Sequence, residues 1–107
     1  MADALMELSL ITTYLKNKDD AFKLMRALVE SKLAACVNIF ETHSCFEENN
    51  VLNEIKEWKV VAKTSPANAN RVFEHMKSSH QCDTPYLVMQ KAQANIEYVN
   101  WVNGKIK

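Results

Sequence analysis

Met6, Leu8 and Leu10 alternate with Glu7 and Ser9, a two-residue period that predicts a strand from Met6 to Tyr14 with one buried face. Asp19 and Asp20 then supply an acidic first turn to a helix. Its Phe22, Met25, Leu28, Val29 and Leu33 recur at helical spacing, so the helix is expected to end near Leu33. Ala35 to Cys45 is rich in apolar and β-branched residues and reads as a second strand; a helix between two strands implies a right-handed parallel crossover. The polar cluster Glu47-Glu48-Asn49-Asn50 makes a turn into a third strand, Val51 to Thr64, with Trp58, Val60 and Ala62 on one face. Ser65-Pro66 is a helix start, because serine accepts from an orphan N–H and proline at the first position loses no hydrogen bond. Val72, Phe73 and Met76 form the stripe of that second helix. Pro85 to Gln93 supplies a fourth strand, and a last helix after Asn95 carries Ile96, Val99, Val102 and Ile106 on one side, flanked by Tyr98 and Trp101.

The order βαββαβ plus a C-terminal helix is an α+β, ferredoxin-like arrangement, two helices covering one face of a four-stranded antiparallel sheet. The pattern leaves the other face open. Strands Ala35 to Cys45 and Val51 to Thr64 are too long and too apolar to end in water, which calls for a cover. At 107 residues the chain holds one core, so residues 1–107 form a single domain. Its one glycine, Gly104, leaves asparagine to make the turns, and Asn17, Asn49, Asn50, Asn53 and Asn95 stand where the chain should reverse.

Charge narrows the partners. Thirteen basic and thirteen acidic residues balance without a long block of either sign, which argues against nucleic acid. The stretch Met1 to Glu7 has acids and no basic segment, and the apolar run after it is interrupted, so neither a signal peptide nor a membrane span is expected. Three scattered cysteines, Cys36, Cys45 and Cys82, suit free thiols in a reducing cytoplasm.

No phosphate-cradling glycine loop, nucleophile elbow or CxxC pair is present, and no nucleophile, base and orienting group can be assembled, so an enzyme is not expected. What remains is two H-x-C triplets, His43-Ser44-Cys45 and His80-Gln81-Cys82. On extended backbone residues two apart face one side, so each triplet can offer an imidazole and a thiolate to one ion. In a ferredoxin-like sheet the two triplets fall on opposite edges and do not meet within one chain. Across subunits they would form a His2Cys2 set suited to zinc or copper. Coincidence is the competing explanation, since short matches among three histidines and three cysteines arise easily. His75 reads as a surface histidine, and Cys36, at the start of an inner strand, as a small buried hydrophobe.

Lys32-Leu33-Ala34-Ala35-Cys36-Val37-Asn38-Ile39, Lys63-Thr64 closing an apolar strand, His80 and Pro85 before the last strand, and Asn95 to Val102 together resemble the CutA family, trimeric proteins named for divalent-cation tolerance. The resemblance spans about nine tenths of the chain. It implies a homotrimer in which three sheets pack around a threefold axis, and so a cover for the open face. It adds Cys36 to the candidate metal ligands His43, Cys45, His80 and Cys82, and implies a role in divalent-cation binding and tolerance. It also implies a second reading, since such trimers resemble PII signalling proteins: a small anionic ligand held in an intersubunit cleft by Lys63, with Tyr86, Tyr98 and Trp101 as walls. Packing explains these aromatics as well. Two departures stand out. Asp83 replaces the usual glutamate of a His-Pro-Tyr-Glu-type run in which Gln81 and Cys82 replace proline and tyrosine, and Thr42 to Glu54 lacks the family's aromatic pair and glycine.

Overall fold

The computed structural model describes residues 4–107, so the Met1 to Asp3 part of the acidic N-terminal stretch lies outside the described residues. Strands β1 (Leu5–Leu15), β2 (Cys36–Glu48), β3 (Val51–Thr64) and β4 (Leu87–Asn95) form one antiparallel sheet in the order β2-β3-β1-β4. Helices α1 (Lys18–Glu30), α2 (Ala69–Ser78) and α3 (Ile96–Lys105) complete the expected ferredoxin-like order. The first strand begins one residue earlier than its alternation suggests, and β2 continues three residues beyond Cys45. β4 starts at Leu87 rather than Pro85.

Helix α1 begins where the Asn17 side chain accepts from the Asp20 N–H at 3.1 Å, with Asp19 and Asp20 in the positive first turn. Its buried stripe is Ala21, Leu24 and Leu28, offset from the expected Val29, which is 41% exposed. The helix stops at Glu30 instead of Leu33, because Lys32 turns into the left-handed region (φ 63°). The N–H groups of Leu33 and Ala34 both return to the Leu28 carbonyl at 3.1 Å, closing the helix before the chain pairs with β3. Asn49 and Asn50, φ 53° and 63°, make a two-residue hairpin of the mirror-turn kind that matches strand twist. Asn17 is instead a cap, Asn53 lies inside β3 and Asn95 ends β4. Ser65 and Pro66 open a short 3₁₀ turn, Pro66–Asn68, that runs into α2.

Helices α1 and α2 cover one sheet face, burying Ile11, Leu15, Val60 and Ala62 against Leu24, Leu28, Val72 and Met76. Helix α3 packs on the opposite face at the β1–β4 side, where Leu8 meets Val99 and Val102. Among the described residues, no helix covers the remainder of that second face. Phe40, Lys59 and Tyr14 lie in one row across it, with Phe40 52% exposed. Beyond Leu15, the partner of Trp58, residues Thr42–Glu48 and Val51–Glu57 pair only with each other among the described residues and project as a two-stranded arm.

Candidate functional site

The arm, the end of β1 and the segment between α2 and β4 enclose an open cleft of about 830 Å³. Alternation along the arm turns Ser44, Phe46 and Glu48 of β2 and Ile55 and Glu57 of β3 toward it. Ser79 to Tyr86 forms the opposing wall, and Tyr14, Asn17 and Asp20 the floor. Among the described residues, Asp20, Glu48, Glu57 and Asp83 line the cleft against one lysine, Lys16, so its potential favours positive ligands.

His80 is fixed in this wall by a residue that the chain pattern alone did not single out. The Thr13 hydroxyl, fully buried, donates to the Tyr86 carbonyl at 2.7 Å and lies 2.5 Å from His80 Nε2. A hydroxyl has one proton. With that proton on the Tyr86 carbonyl, Thr13 Oγ accepts from His80, which sets the Nε2–H tautomer and leaves Nδ1 as an acceptor for the Cys82 thiol. Burial pushes the His80 pKa below its ordinary value, which favours the neutral ring. Cys82 Sγ lies 3.9 Å from that Nδ1 and is exposed. The H-x-C spacing thus brings imidazole and thiol together at the second triplet. The signal for Thr13 was available in the pattern: a hydroxyl on the same strand face as Ile11 and Leu15, where apolar side chains are the rule.

The other candidates lie elsewhere. His43 and Cys45 face away from the cleft, on the reverse side of the arm beside Lys56 and Glu54. Strands β2 and β4 are opposite edges of the sheet, and among the described residues no group of three or more His, Cys, Asp or Glu side chains forms a metal cage. Within one chain the five candidate ligands therefore do not converge. Cys36 stands on an edge strand rather than an inner one, half-buried, in register with Lys63 and Leu10. Lys63 places its ammonium 5.8 Å from the Tyr98 ring, and Tyr98 stacks on Trp101 at 5.6 Å. Within one chain Tyr86 stands apart from that group. It meets Tyr14 edge-to-face at 4.9 Å, and Tyr14 is four residues along β1 from Leu10, roughly 13 Å at strand rise.

A ferredoxin-like sheet with an extra C-terminal helix and a projecting hairpin defines a class of small α+β domains. The family described as "CutA1 divalent ion tolerance protein" matches residues 9–105, and the chain belongs to that family. It is 28% identical over 98 residues to the divalent-cation tolerance protein CutA of Thermotoga maritima, covering 91% of this chain and 97% of the relative. The CutA homologue of Xenopus laevis is 32% identical over 107 residues, covering 94% of this chain and 70% of that protein. The crystal structure of the divalent ion tolerance protein CutA1 from Ehrlichia chaffeensis superposes with a TM-score of 0.85 at 27% identity, covering 91% of this chain and 92% of that one. These relatives are named as tolerance or CutA proteins, not as enzymes.

Proposed function

We propose that this chain contributes to divalent-cation tolerance by binding a borderline or soft transition-metal ion, zinc or copper, as cargo, in a homotrimer without enzymatic activity. The observation that carries the reading is the His80 Nδ1 to Cys82 Sγ separation of 3.9 Å, a contact in which an ion would take the place of the thiol proton. Zinc bonds of about 2.0–2.1 Å to nitrogen and 2.3 Å to sulfur, at a tetrahedral angle, hold the two donors roughly 3.6 Å apart. The pair is therefore close to chelating distance before any ion arrives, and the acidic cleft around it attracts cations.

Two donors are too few for a closed site, so the remaining ligands come from a neighbouring subunit. His43 and Cys45 are suited to this because they sit on a projecting arm and face away from their own cleft. The helix-free sheet face with Phe40 at its surface supports the trimer, and three free thiols suit a reducing cytoplasm. Zinc competition titrations under reducing conditions test the reading. Cys82→Ser is expected to weaken zinc at least 100-fold, and the His43→Ala, Cys45→Ser double variant to weaken it while leaving one weakly held ion per subunit. Unchanged affinity in Cys82→Ser overturns the site.

One observation favours a second ligand. Lys63 over Tyr98, with Trp101 stacked beside it and Lys105 5.8 Å from the Trp101 ring, makes a cationic and aromatic patch. A small planar anion would suit it, and its binding would be insensitive to chelators and lost in Lys63→Ala.

A further inference from the structure

We infer that Thr13 is the positioning residue of the His80–Cys82 chelate, holding the imidazole so that Nδ1, and not Nε2, is presented to the ion. The inference rests on the metal reading above and adds the residue on which its geometry depends. Thr13 sits in the middle of the sheet, on the face covered by α1 and α2, with no exposure to solvent. Its position is set by strand pairing on both sides, to Val60 of β3 and Leu87 of β4. The segment that carries His80 and Cys82 has no such support, since neither residue belongs to a helix or strand. The Thr13 hydroxyl therefore ties an irregular segment to a rigid one at two points, the His80 ring and the Tyr86 carbonyl.

The proton accounting gives the link its direction. Tyr86 O can only accept, so Thr13 must donate there and accept from His80. Replacing Thr13 by the near-isosteric valine would set the Nε2–H and the carbonyl against methyl groups, and both would turn toward water to regain partners. The ring then loses the orientation that points Nδ1 at Cys82. Hydrogen-bond partners of metal-ligating histidines typically contribute ten- to a hundredfold to metal affinity.

The test compares Thr13→Val, Thr13→Ser and Thr64→Val, the last removing another fully buried hydroxyl, one that donates to the Leu33 carbonyl. Two quantities are read: the ring ¹⁵N and Nε2–H signals of His80 by NMR in metal-free protein, and zinc affinity by competition. The expected result is a protected Nε2–H signal in the wild type, Thr13→Ser and Thr64→Val, lost in Thr13→Val together with a ten- to a hundredfold drop in zinc affinity. Wild-type zinc affinity in Thr13→Val, with Cys82→Ser still defective, would overturn the positioning role and leave the chelate intact. An Nδ1–H tautomer in the wild type would also overturn it. Wild-type affinity in both Cys82→Ser and Thr13→Val would overturn the chelate, and the inference with it.

Discussion

Lys32 is a side-chain-bearing residue with φ 63° at the turn that ends α1, a place where helices commonly use glycine. In that region the Cβ of an L-residue crowds the following carbonyl, at a cost of roughly 1–2 kcal/mol. Lys32→Gly removes the crowding but frees the unfolded chain, which gives back about 0.4–1 kcal/mol. The expected net change is a stabilisation of about 0.5 kcal/mol. Lys32→Val moves the other way, since a β-branched side chain is a stronger outlier there, and about 1 kcal/mol of destabilisation is expected. The backbone carbonyl of Lys32 accepts from the Lys107 N–H at 3.0 Å, a bond that neither substitution removes. Urea unfolding at fixed protein concentration reads both changes. With a slope near 1.5 kcal/mol/M, the midpoint should rise by roughly 0.3 M for glycine and fall by roughly 0.7 M for valine, at unchanged slope. A lower midpoint for glycine together with a neutral valine would refute the reasoning, because the Cβ would then not be the source of the strain.

Three further outcomes are expected. Val102→Ala removes two methyl-sized groups from the fully buried contact of α3 with Leu8, costing about 2 kcal/mol, and hydrogen exchange should show faster opening in Ile96–Lys105 than in α1. Thr64→Val leaves the Leu33 carbonyl with only the 3.4 Å contact from Asn68 Nδ2 and should lower stability by about 1–2 kcal/mol in the same urea assay. The pH response follows from His80. Its pKa is lowered by burial in the folded protein, so between the folded value and the ordinary value of 6.5 the unfolded chain binds more protons, and stability rises with pH there. This contribution is complete above 6.5 and is lost as pH falls below it; midpoints between pH 7.5 and 5 should show a decline that His80→Gln reduces.

The architecture was legible because local signals agreed with one another. The alternation Met6-Leu8-Leu10, the Ser65-Pro66 start and the Asn49-Asn50 turn each pointed to the element that formed. The end of α1 was not legible, because a lysine in the left-handed region carries no compositional mark and Leu33 continues the helical spacing past the turn. The apolar stripe of α1 was read one position off for a related reason. Alanine at 21 is small enough to pass for neutral, yet it is fully buried, whereas Val29 lies partly in solvent. At the site, the H-x-C rule brought His80 and Cys82 together, but it placed His43 and Cys45 no better than strand alternation allows, and alternation turned them from the cleft. Within one chain the register sets Lys63 and Tyr86 apart along β1, so only neighbouring subunits could bring them to one cleft. The pattern marks Thr13 as a hydroxyl on an apolar strand face but does not name its partner, because His80 is 67 residues away along the chain.

The metal-binding account is tested most directly by X-ray absorption at the zinc edge on protein loaded with one equivalent per subunit under reducing conditions. The account predicts at least one sulfur neighbour near 2.3 Å and at least one imidazole near 2.0 Å, with the sulfur signal diminished in Cys82→Ser. A shell of nitrogen and oxygen alone, identical in the wild type and Cys82→Ser, would contradict it.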